Sequence, residues 1–374
     1  MAFLSETAQR ALAITAAPEN GRILPQKITE LSVKRWGKEI VLLGHHPTFY
    51  ETLQKLEQFA PSEAPVLITG ETGVGKELFA SALYLLGKRN GEPYMPVNCG
   101  QFADENLMVS ELFGHAKGSF TGAINDRRGV FETTDGGVIF LDEIGELSPC
   151  VQKMLLRVID QKEIMPLGST KIRRVDIRVI SATHRHLESM AEAGKFREDL
   201  FYRLSCLHLH IPALRERGDD RVLLLTYYLD QLNTAHWVQK QFSSEALDFL
   251  KSYGFPGNIR ELKNIVETGF RVSHGNLIQL DDITDKLQHR RKSDLLPLDI
   301  AGYYSRMVDK GESFWQAIHE PFMNRDLNRS QVQALLHRGL KETGSYKGLA
   351  KLFNIAEADY KKFLNFLQQH DLKS

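Results

Sequence analysis

The stretch GETGVGKE, residues 70–77, decides the fold of this chain. It follows the apolar run VLIT at 66–69 and leads into a helical pattern over 76–86. Glycines let successive N–H groups point at one anion, the helix N-terminus adds its dipole, and the lysine reaches the β- and γ-phosphates. We therefore predict a phosphate-binding loop of the type G-x-x-x-x-G-K, with a plain glycine turn between strand and helix as the alternative. Its nucleotide-binding residues are Gly70, Glu71, Thr72, Gly73, Val74, Gly75, Lys76 and Glu77.

A second apolar run supplies the acidic residues that such a loop needs. The segment GGVIFLDE at 136–143 ends in Asp142 and Glu143. Asp142 is the candidate magnesium ligand, and Glu143 can polarise an attacking water, because in-line phosphoryl transfer needs an oriented nucleophile and neutralised charge. By itself this ending would suit a solvated turn. Together with the phosphate loop it predicts a nucleotide site.

Short apolar runs alternate with helical patterns between residues 41 and 213. They are VLIT (66–69), MPVN (95–98), VIFLD (138–142), IRVISA (177–182) and LHLHI (207–211). Runs of this length suit strands buried on both faces, so we predict an α/β domain with a parallel sheet. Helical spacing takes over at 214–289 and predicts a small helical subdomain, with Ser243 as a candidate helix N-cap.

Two further segments flank these domains. Residues 1–40 are predicted to be an N-terminal arm without a recognised sensory domain, and 290–374 to be a linker followed by a small all-α domain. This last segment holds 14 Lys and Arg against 10 Asp and Glu, whereas the 374-residue chain has 47 of each and no formal net charge. The neutral total argues against a protein that coats nucleic acid by charge alone, but it permits a mildly basic DNA-binding domain.

The composition excludes several other classes. Hydrophobic residues make up 42% and charged residues 25%, which argues against wholesale disorder. Three cysteines without a CxxC pair exclude a disulfide framework and a thiolate zinc site. No run approaches the ~18 apolar residues of a membrane span, and Glu6 and Arg10 interrupt the first stretch, so we expect neither a membrane span nor a secretory signal. We expect a cytoplasmic protein without a membrane partner.

The motifs occur in the order seen in one known family. They are GETGVGKE, VNCGQF, SELFGHAKGSFTGA, GGVIFLDEIGEL, FREDLFYRL, LRER and FPGNIREL. Over about residues 42–288 the chain resembles bacterial enhancer-binding proteins, the AAA+ ATPases that activate RNA polymerase carrying sigma-54. The resemblance implies a P-loop AAA+ domain with a helical lid, ATP and Mg²⁺ as ligands, and a ring oligomer, by resemblance a hexamer. Glu also follows the loop lysine in that family, so Glu77 agrees with nucleotide binding.

The segment GSFTGA is similar to the GAFTGA signature that marks this subfamily. The resemblance implies a surface loop whose tip contacts sigma-54. Its glycines allow a sharp turn, and an exposed Phe120 would serve as a wedge for the partner. The alternative is that Phe120 packs on its own domain, and Ser119 in place of the usual Ala is a small polar change. The loop residues are Gly118, Ser119, Phe120, Thr121, Gly122 and Ala123.

Three arginines match positions of the family. Arg197 and Arg203 resemble the arginine fingers that reach the nucleotide of a neighbouring subunit, a task that suits the planar, permanently charged guanidinium. The alternative for each is a surface salt bridge with Glu198 or Asp199. Arg260, in GNIREL, matches the lid arginine that senses nucleotide within its own subunit.

Two polar residues match positions near the catalytic glutamate. Asn98 ends the second predicted strand, and the family residue there contacts the glutamate, which implies that Glu143 exchanges partners with the nucleotide state. His184 stands where the family normally has Asn. A neutral histidine also donates and accepts, but it is larger and can gain a proton near neutral pH. We expect slower or pH-dependent hydrolysis.

The C-terminal segment is predicted to contain a helix-turn-helix. Helices over 346–353 and 356–369 flank a short turn, with Glu357–Phe366 as the candidate recognition helix. The domain resembles the DNA-binding domain that ends most family members, although Glu357 and Asp359 are unfavourable near DNA. A bundle for dimerisation is the alternative. The candidate phosphate contacts are Lys347, Lys351, Lys361 and Lys362, and the predicted inner face consists of Ala350, Leu352, Phe353, Ile355, Tyr360, Phe363 and Leu367.

We therefore predict an ATP-dependent activator that binds upstream double-stranded DNA and remodels closed complexes of the sigma-54 RNA polymerase holoenzyme. The alternative is an AAA+ remodeller or nucleotide-dependent scaffold that does not bind DNA. His184 and the weakly basic C-terminal domain motivate this alternative.

Overall fold

The computed structural model describes residues 19–102, 104–120, 123–284, 300–323, 327, 329–370 and 372. The chain divides into two compact units, Met1–Gln279 and Leu280–Ser374. No helix in these described ranges is long and apolar enough to cross a membrane.

A five-stranded parallel sheet forms the centre of the first unit, which confirms the predicted fold class. Its strands are β1 (Val66–Thr69), β2 (Tyr94–Asn98), β3 (Val138–Asp142), β4 (Arg178–Thr183) and β5 (Leu207–His210). Their order across the sheet is β2-β3-β4-β1-β5. Because all pairs are parallel, every strand ends at the same edge. The phosphate loop and the acidic residues therefore meet there.

Burial separates the inner strands from the edge strands. Every residue of β4 is buried, and β1 and β3 expose none of theirs. Of the edge strands, β2 carries three exposed residues and β5 carries two. The prediction that these strands are buried on both faces is thus confirmed for the three inner strands but wrong for MPVN and LHLHI. These two runs form edge strands, which lack a neighbouring strand on one side.

Helices cover both faces of the sheet. They are α1 (Glu19–Trp36), α2 (Pro47–Phe59), α3 (Lys76–Leu86), α4 (Glu105–Phe113), α5 (Val130–Thr133), α6 (Pro149–Gln161), α7 (Leu187–Glu192) and α8 (Glu198–Leu204). Two hydrophobic clusters, one on each face, use alternate residues of the strands. Helix α1 lies in the predicted N-terminal arm, and its Leu24 and Ile28 belong to the cluster that also holds Phe79 of α3.

A helical subdomain, which we call the lid, follows the sheet. It contains α9 (Asp220–His236), α10 (Ser244–Ser252) and α11 (Asn258–Val272), with a short parallel pair between Gln241–Phe242 and Leu277–Ile278. Ser243 Oγ accepts from the backbone N–H of Ala246 at 3.1 Å, so the predicted N-cap is confirmed.

The second unit is helical. It contains α12 (Ile300–Val308), a π-helical turn (Trp315–His319), α13 (Glu320–Met323), α14 (Arg329–Thr343), α15 (Tyr346–Leu352) and α16 (Tyr360–Gln369). Of the predicted inner face, Leu352 and Tyr360 are partly buried and the other residues are buried. The predicted recognition helix begins as a 3₁₀ turn at Glu357–Asp359. Its α-helical part starts three residues later, at Tyr360, and ends at Gln369, where the predicted helix over 356–369 also ends.

Candidate functional site

The phosphate loop has a backbone that few residues other than glycine adopt. Gly73 and Gly75 have φ angles of +84° and +100°, in the left-handed region. Helix α3 begins at Lys76, directly after Gly75. The loop therefore presents backbone N–H groups and a helix N-terminus to one point, which is the arrangement for binding a phosphate.

The ammonium group of Lys76 is held within the loop. The residue is buried, and its Nζ donates to the carbonyls of Gly70 at 3.1 Å and Glu71 at 3.2 Å. Burial lowers the pKa of Lys76, while the charges of Glu143 and Asp142 act in the opposite direction. The loop lysine thus shares an electrostatic environment with the two carboxylates at the end of β3.

Those carboxylates lie where β3 leaves the sheet. Asp142 is partly buried, and burial followed by the charge of Glu143 raises its pKa. Glu143 has a φ of +54°, an uncommon conformation for a residue with a side chain. Two neighbouring carboxyl groups beside a phosphate loop offer the oxygen ligands that a hard divalent cation prefers, so the residues present suit Mg²⁺.

His184 reaches Glu143 from the neighbouring strand β4. Its Nδ1 lies 2.7 Å from Glu143 Oε2. Since a carboxylate only accepts, this hydrogen bond requires a proton on Nδ1. Asn98 stands opposite Asp142 in the register of β2 and β3, but its Oδ1 accepts from the backbone N–H of Gly100 at 2.9 Å.

The start of α11 lies against the phosphate loop. Gly73 O accepts from the N–H groups of Ile259 at 3.0 Å and Arg260 at 3.3 Å. The side chain of Arg260 is exposed, and its positive charge contributes to the lowered pKa of Lys76. Arg260 is therefore placed beside the loop of its own subunit.

Two residues that the sequence analysis did not single out also contact the loop. Asn258 Nδ2 donates to Glu71 Oε2 at 3.1 Å, and Arg215 makes two hydrogen bonds to the same carboxylate, at 2.8 and 2.6 Å. Both lie in quoted motifs, LRER and FPGNIREL. The motifs themselves could be recognised in the sequence, but no local pattern indicates that they contact Glu71.

The two candidate finger arginines are paired within the chain. Arg197 makes hydrogen bonds of 3.0 and 2.7 Å to Asp199, which is the salt bridge considered as its alternative. Arg203 Nε lies 2.8 Å from Asp160 Oδ1 on α6. Both arginines are exposed.

The GSFTGA loop is described only in part. Gly118 has a φ of +81°, and its N–H donates to the carbonyl of Ala123 at 2.8 Å, so the loop closes on itself. The ring of Phe120 is partly buried and lies edge-on to His115, with centroids 5.0 Å apart. Phe120 therefore packs on its own domain in this structure, which is the alternative to an exposed wedge. Thr121 and Gly122 lie outside the described residues.

The four candidate DNA-contacting lysines are exposed. Lys347 and Lys351 belong to α15, and Lys361 and Lys362 to α16. Lys362 Nζ lies 4.4 Å from the ring centroid of Trp315, which is a cation–π contact within the unit.

A phosphate loop that opens a helix, an acidic strand end beside it and a helical lid on the loop define an AAA+ ATPase domain. Residues 42–210 match the family described as the sigma-54 interaction domain, and residues 215–296 match the AAA+ ATPase lid domain.

Two similar curated proteins are named as transcriptional regulators, and one of them is named as sigma54-dependent. The transcriptional regulatory protein ZraR of Salmonella typhimurium is 42% identical over 276 residues, 74% of this chain and 60% of that protein. The sigma54-dependent transcriptional regulator SfnR of Pseudomonas fluorescens is 43% identical over 238 residues, 63% of this chain and 65% of that protein. The crystal structure of NtrX from Brucella abortus in complex with ATP has a TM-score of 0.62 at 26% identity, covering 88% of this chain and 69% of that one.

The chain belongs to the family of sigma-54-dependent transcriptional regulators. It spans 60% to 65% of the length of these two curated relatives.

Proposed function

We propose that this chain is a cytoplasmic transcription activator that binds upstream DNA and uses ATP hydrolysis to remodel closed complexes of sigma-54 RNA polymerase. The observation that carries the proposal is the placement of the phosphate loop with Lys76 after β1 and of Asp142 and Glu143 at the end of β3, at the same edge of the parallel sheet. Phosphoryl transfer to water needs a cation for the phosphates, a carboxylate for the metal and a group that orients the water. The ATP complex of the similar NtrX supports the same ligand.

Each residue has a separate role in this reaction. The loop N–H groups and Lys76 hold the β- and γ-phosphates, and Asp142 holds Mg²⁺, which neutralises phosphate charge when bound. Glu143 orients the attacking water and takes its proton. His184 donates Nδ1–H to Glu143 and thereby fixes the direction of the carboxylate. Asn98, one strand away, is the alternative partner of Glu143.

A ring of subunits would complete the site. Arg197 and Arg203 are exposed and held by single-carboxylate partners, which a phosphate of the neighbouring subunit could replace. In this proposal the ring is a hexamer, as in the family.

The GSFTGA loop would transmit the nucleotide state to sigma-54. In the proposal, Phe120 leaves His115 and contacts the sigma factor, with residues 118–123 as the moving tip. Phe120→Ala should retain ATPase activity and lose transcription from a sigma-54 promoter. Full promoter activation by this variant would refute the assignment of the loop.

The ATPase proposal is tested with Glu143→Gln in the full chain. Removing the proton acceptor should reduce turnover at least a hundredfold, while binding of a fluorescent ATP analogue stays within about twofold. Equal turnover of the variant and the wild type would leave Glu143 without a catalytic role. Lys76→Ala serves as the comparison, because it should weaken binding itself.

DNA binding has its own test, because Glu357 is exposed and Asp359 only partly buried at the start of the candidate recognition helix. We expect the full chain to shift a fragment of its own upstream region at low salt. No shift, together with ATP-dependent sigma-54 remodelling in solution, would favour an AAA+ remodeller without DNA binding.

A further inference from the structure

A buried side-chain amide joins the lid to the phosphate loop. Asn258 is 1% exposed and has a φ of +53°, in the left-handed region that Asn tolerates better than most residues. Its Nδ2 donates to Glu71 Oε2 and to Thr72 O, both at 3.1 Å, and its Oδ1 accepts from the N–H of Leu214 at 2.8 Å. The amide therefore connects two loop residues to the segment that leads into the lid.

Arg215 holds the same loop carboxylate from the solvent side. Its guanidinium contacts both oxygens of Glu71, the two-pronged geometry in which arginine binds carboxylates best. The hydrogen bond from Arg215 is the main cause of the lowered pKa of Glu71. Glu71 is thus ionised at neutral pH and shared by two lid-side donors.

The backbones of the lid and the loop also meet closely. A Cβ atom on Gly73 would lie 2.3 Å from the carbonyl oxygen of Gly257, so only glycine permits this approach. Gly73 O accepts from two N–H groups at the start of α11. A change in the loop backbone therefore acts directly on the first turn of this helix.

We infer that Glu71, Arg215 and Asn258 form a lid clamp, which holds the lid on the phosphate loop in the arrangement that binds nucleotide. The inference rests on the proposed ATP-binding function and assigns positioning roles, since none of the three groups needs to touch the reacting atoms. Because binding and conformation are linked, a clamp that favours the competent arrangement tightens nucleotide binding. It leaves turnover of the bound nucleotide almost unchanged.

The test measures binding and turnover separately in the full chain. In Asn258→Gly the backbone keeps its left-handed conformation and the amide is lost. The dissociation constant for a fluorescent ATP analogue should rise about tenfold, and kcat at saturating ATP should stay within about twofold. Asn276→Gly is the matched control, because Asn276 is an exposed lid residue, and it should bind as the wild type does.

A reversed pair distinguishes the clamp from a general effect on folding. Asn258→Asp places two carboxylates together and should weaken binding more than Asn258→Gly. Adding Glu71→Gln makes residue 71 the donor and residue 258 the acceptor, which restores one hydrogen bond. The double variant should therefore bind the ATP analogue at least threefold more tightly than Asn258→Asp does.

Each outcome decides the inference. Folded Asn258→Gly with wild-type affinity would overturn it, and so would a parallel fall in affinity and kcat without recovery in the double variant. Wild-type protein that binds no ATP analogue would refute the proposed function and the clamp with it. Wild-type binding with unchanged variants refutes the clamp alone.

Discussion

Replacing His184 by Ala should slow ATP hydrolysis without weakening ATP binding. The bond from Nδ1 to Glu143 Oε2 is 2.7 Å long and involves a charged acceptor. Such bonds contribute about 1.5–3 kcal/mol, and the His184 side chain is 39% exposed, which favours the lower end. If the transition state loses about 1.5 kcal/mol of stabilisation, kcat falls roughly tenfold. KM for ATP should stay within about twofold, because the side-chain hydrogen bond of His184 goes to Glu143 and not to the phosphate loop.

The assay is steady-state ATPase activity of the full chain at a fixed subunit concentration. His186→Ala is the matched control, since His186 is exposed and its side chain forms no cap at the start of α7. His184→Asn should recover part of the activity, because Asn also offers a neutral donor. In a Glu143→Gln background, His184→Ala should cause no further loss. An undiminished kcat in His184→Ala, or an equal loss in His186→Ala, would refute the reasoning.

Three further predictions concern stability, DNA binding and assembly. Asp220→Ala should destabilise the first unit by about 3–5 kcal/mol in urea unfolding, because it leaves the buried Arg217 guanidinium without its 2.9 Å partner; an unchanged midpoint would contradict this. Lys361→Ala should weaken DNA binding and reduce the salt dependence of log K by about one unit, whereas an unchanged slope would remove Lys361 from the interface. Specific ATPase activity should rise with protein concentration in the wild type but not in Arg203→Ala, and constant activity down to the dilute monomer would exclude a finger acting between subunits.

The grouping of the phosphate loop and the acidic residues at one edge of the sheet could be predicted, because local sequence patterns determine it. Gly70–Lys76 and Asp142 each follow a buried apolar run, and parallel strands place their ends at one edge whatever their order. The proximity of His184 to Glu143 follows from the same rule. Which of His184 and Asn98 bonds Glu143 did not follow, because side-chain reach and the turn at Gly100 decide it.

The contacts between lid and loop could not be predicted from local pattern. Asn258 lies 187 residues from Glu71, and Arg215 lies 144 residues from it. Their meeting depends on how α11 packs, which neither periodicity nor capping specifies. The edge strands were misjudged for a related reason. A run such as LHLHI has the composition of a strand, but its place in the sheet is a property of the whole fold.

Two hydrogen-bond networks of different kinds therefore surround the candidate nucleotide site. His184 and Glu143 connect the ends of adjacent strands in one sheet, where backbone pairing already fixes the distance between them. Glu71 and Asn258 connect the loop to another subdomain, where side chains contribute directly to the alignment. Groups fixed by a sheet suit the positioning of a reacting water, whereas groups between subdomains suit a response to ligand binding. His184, where the resemblance implies Asn, belongs to the network within the sheet, so we expect a substitution there to change kcat and not the affinity for ATP.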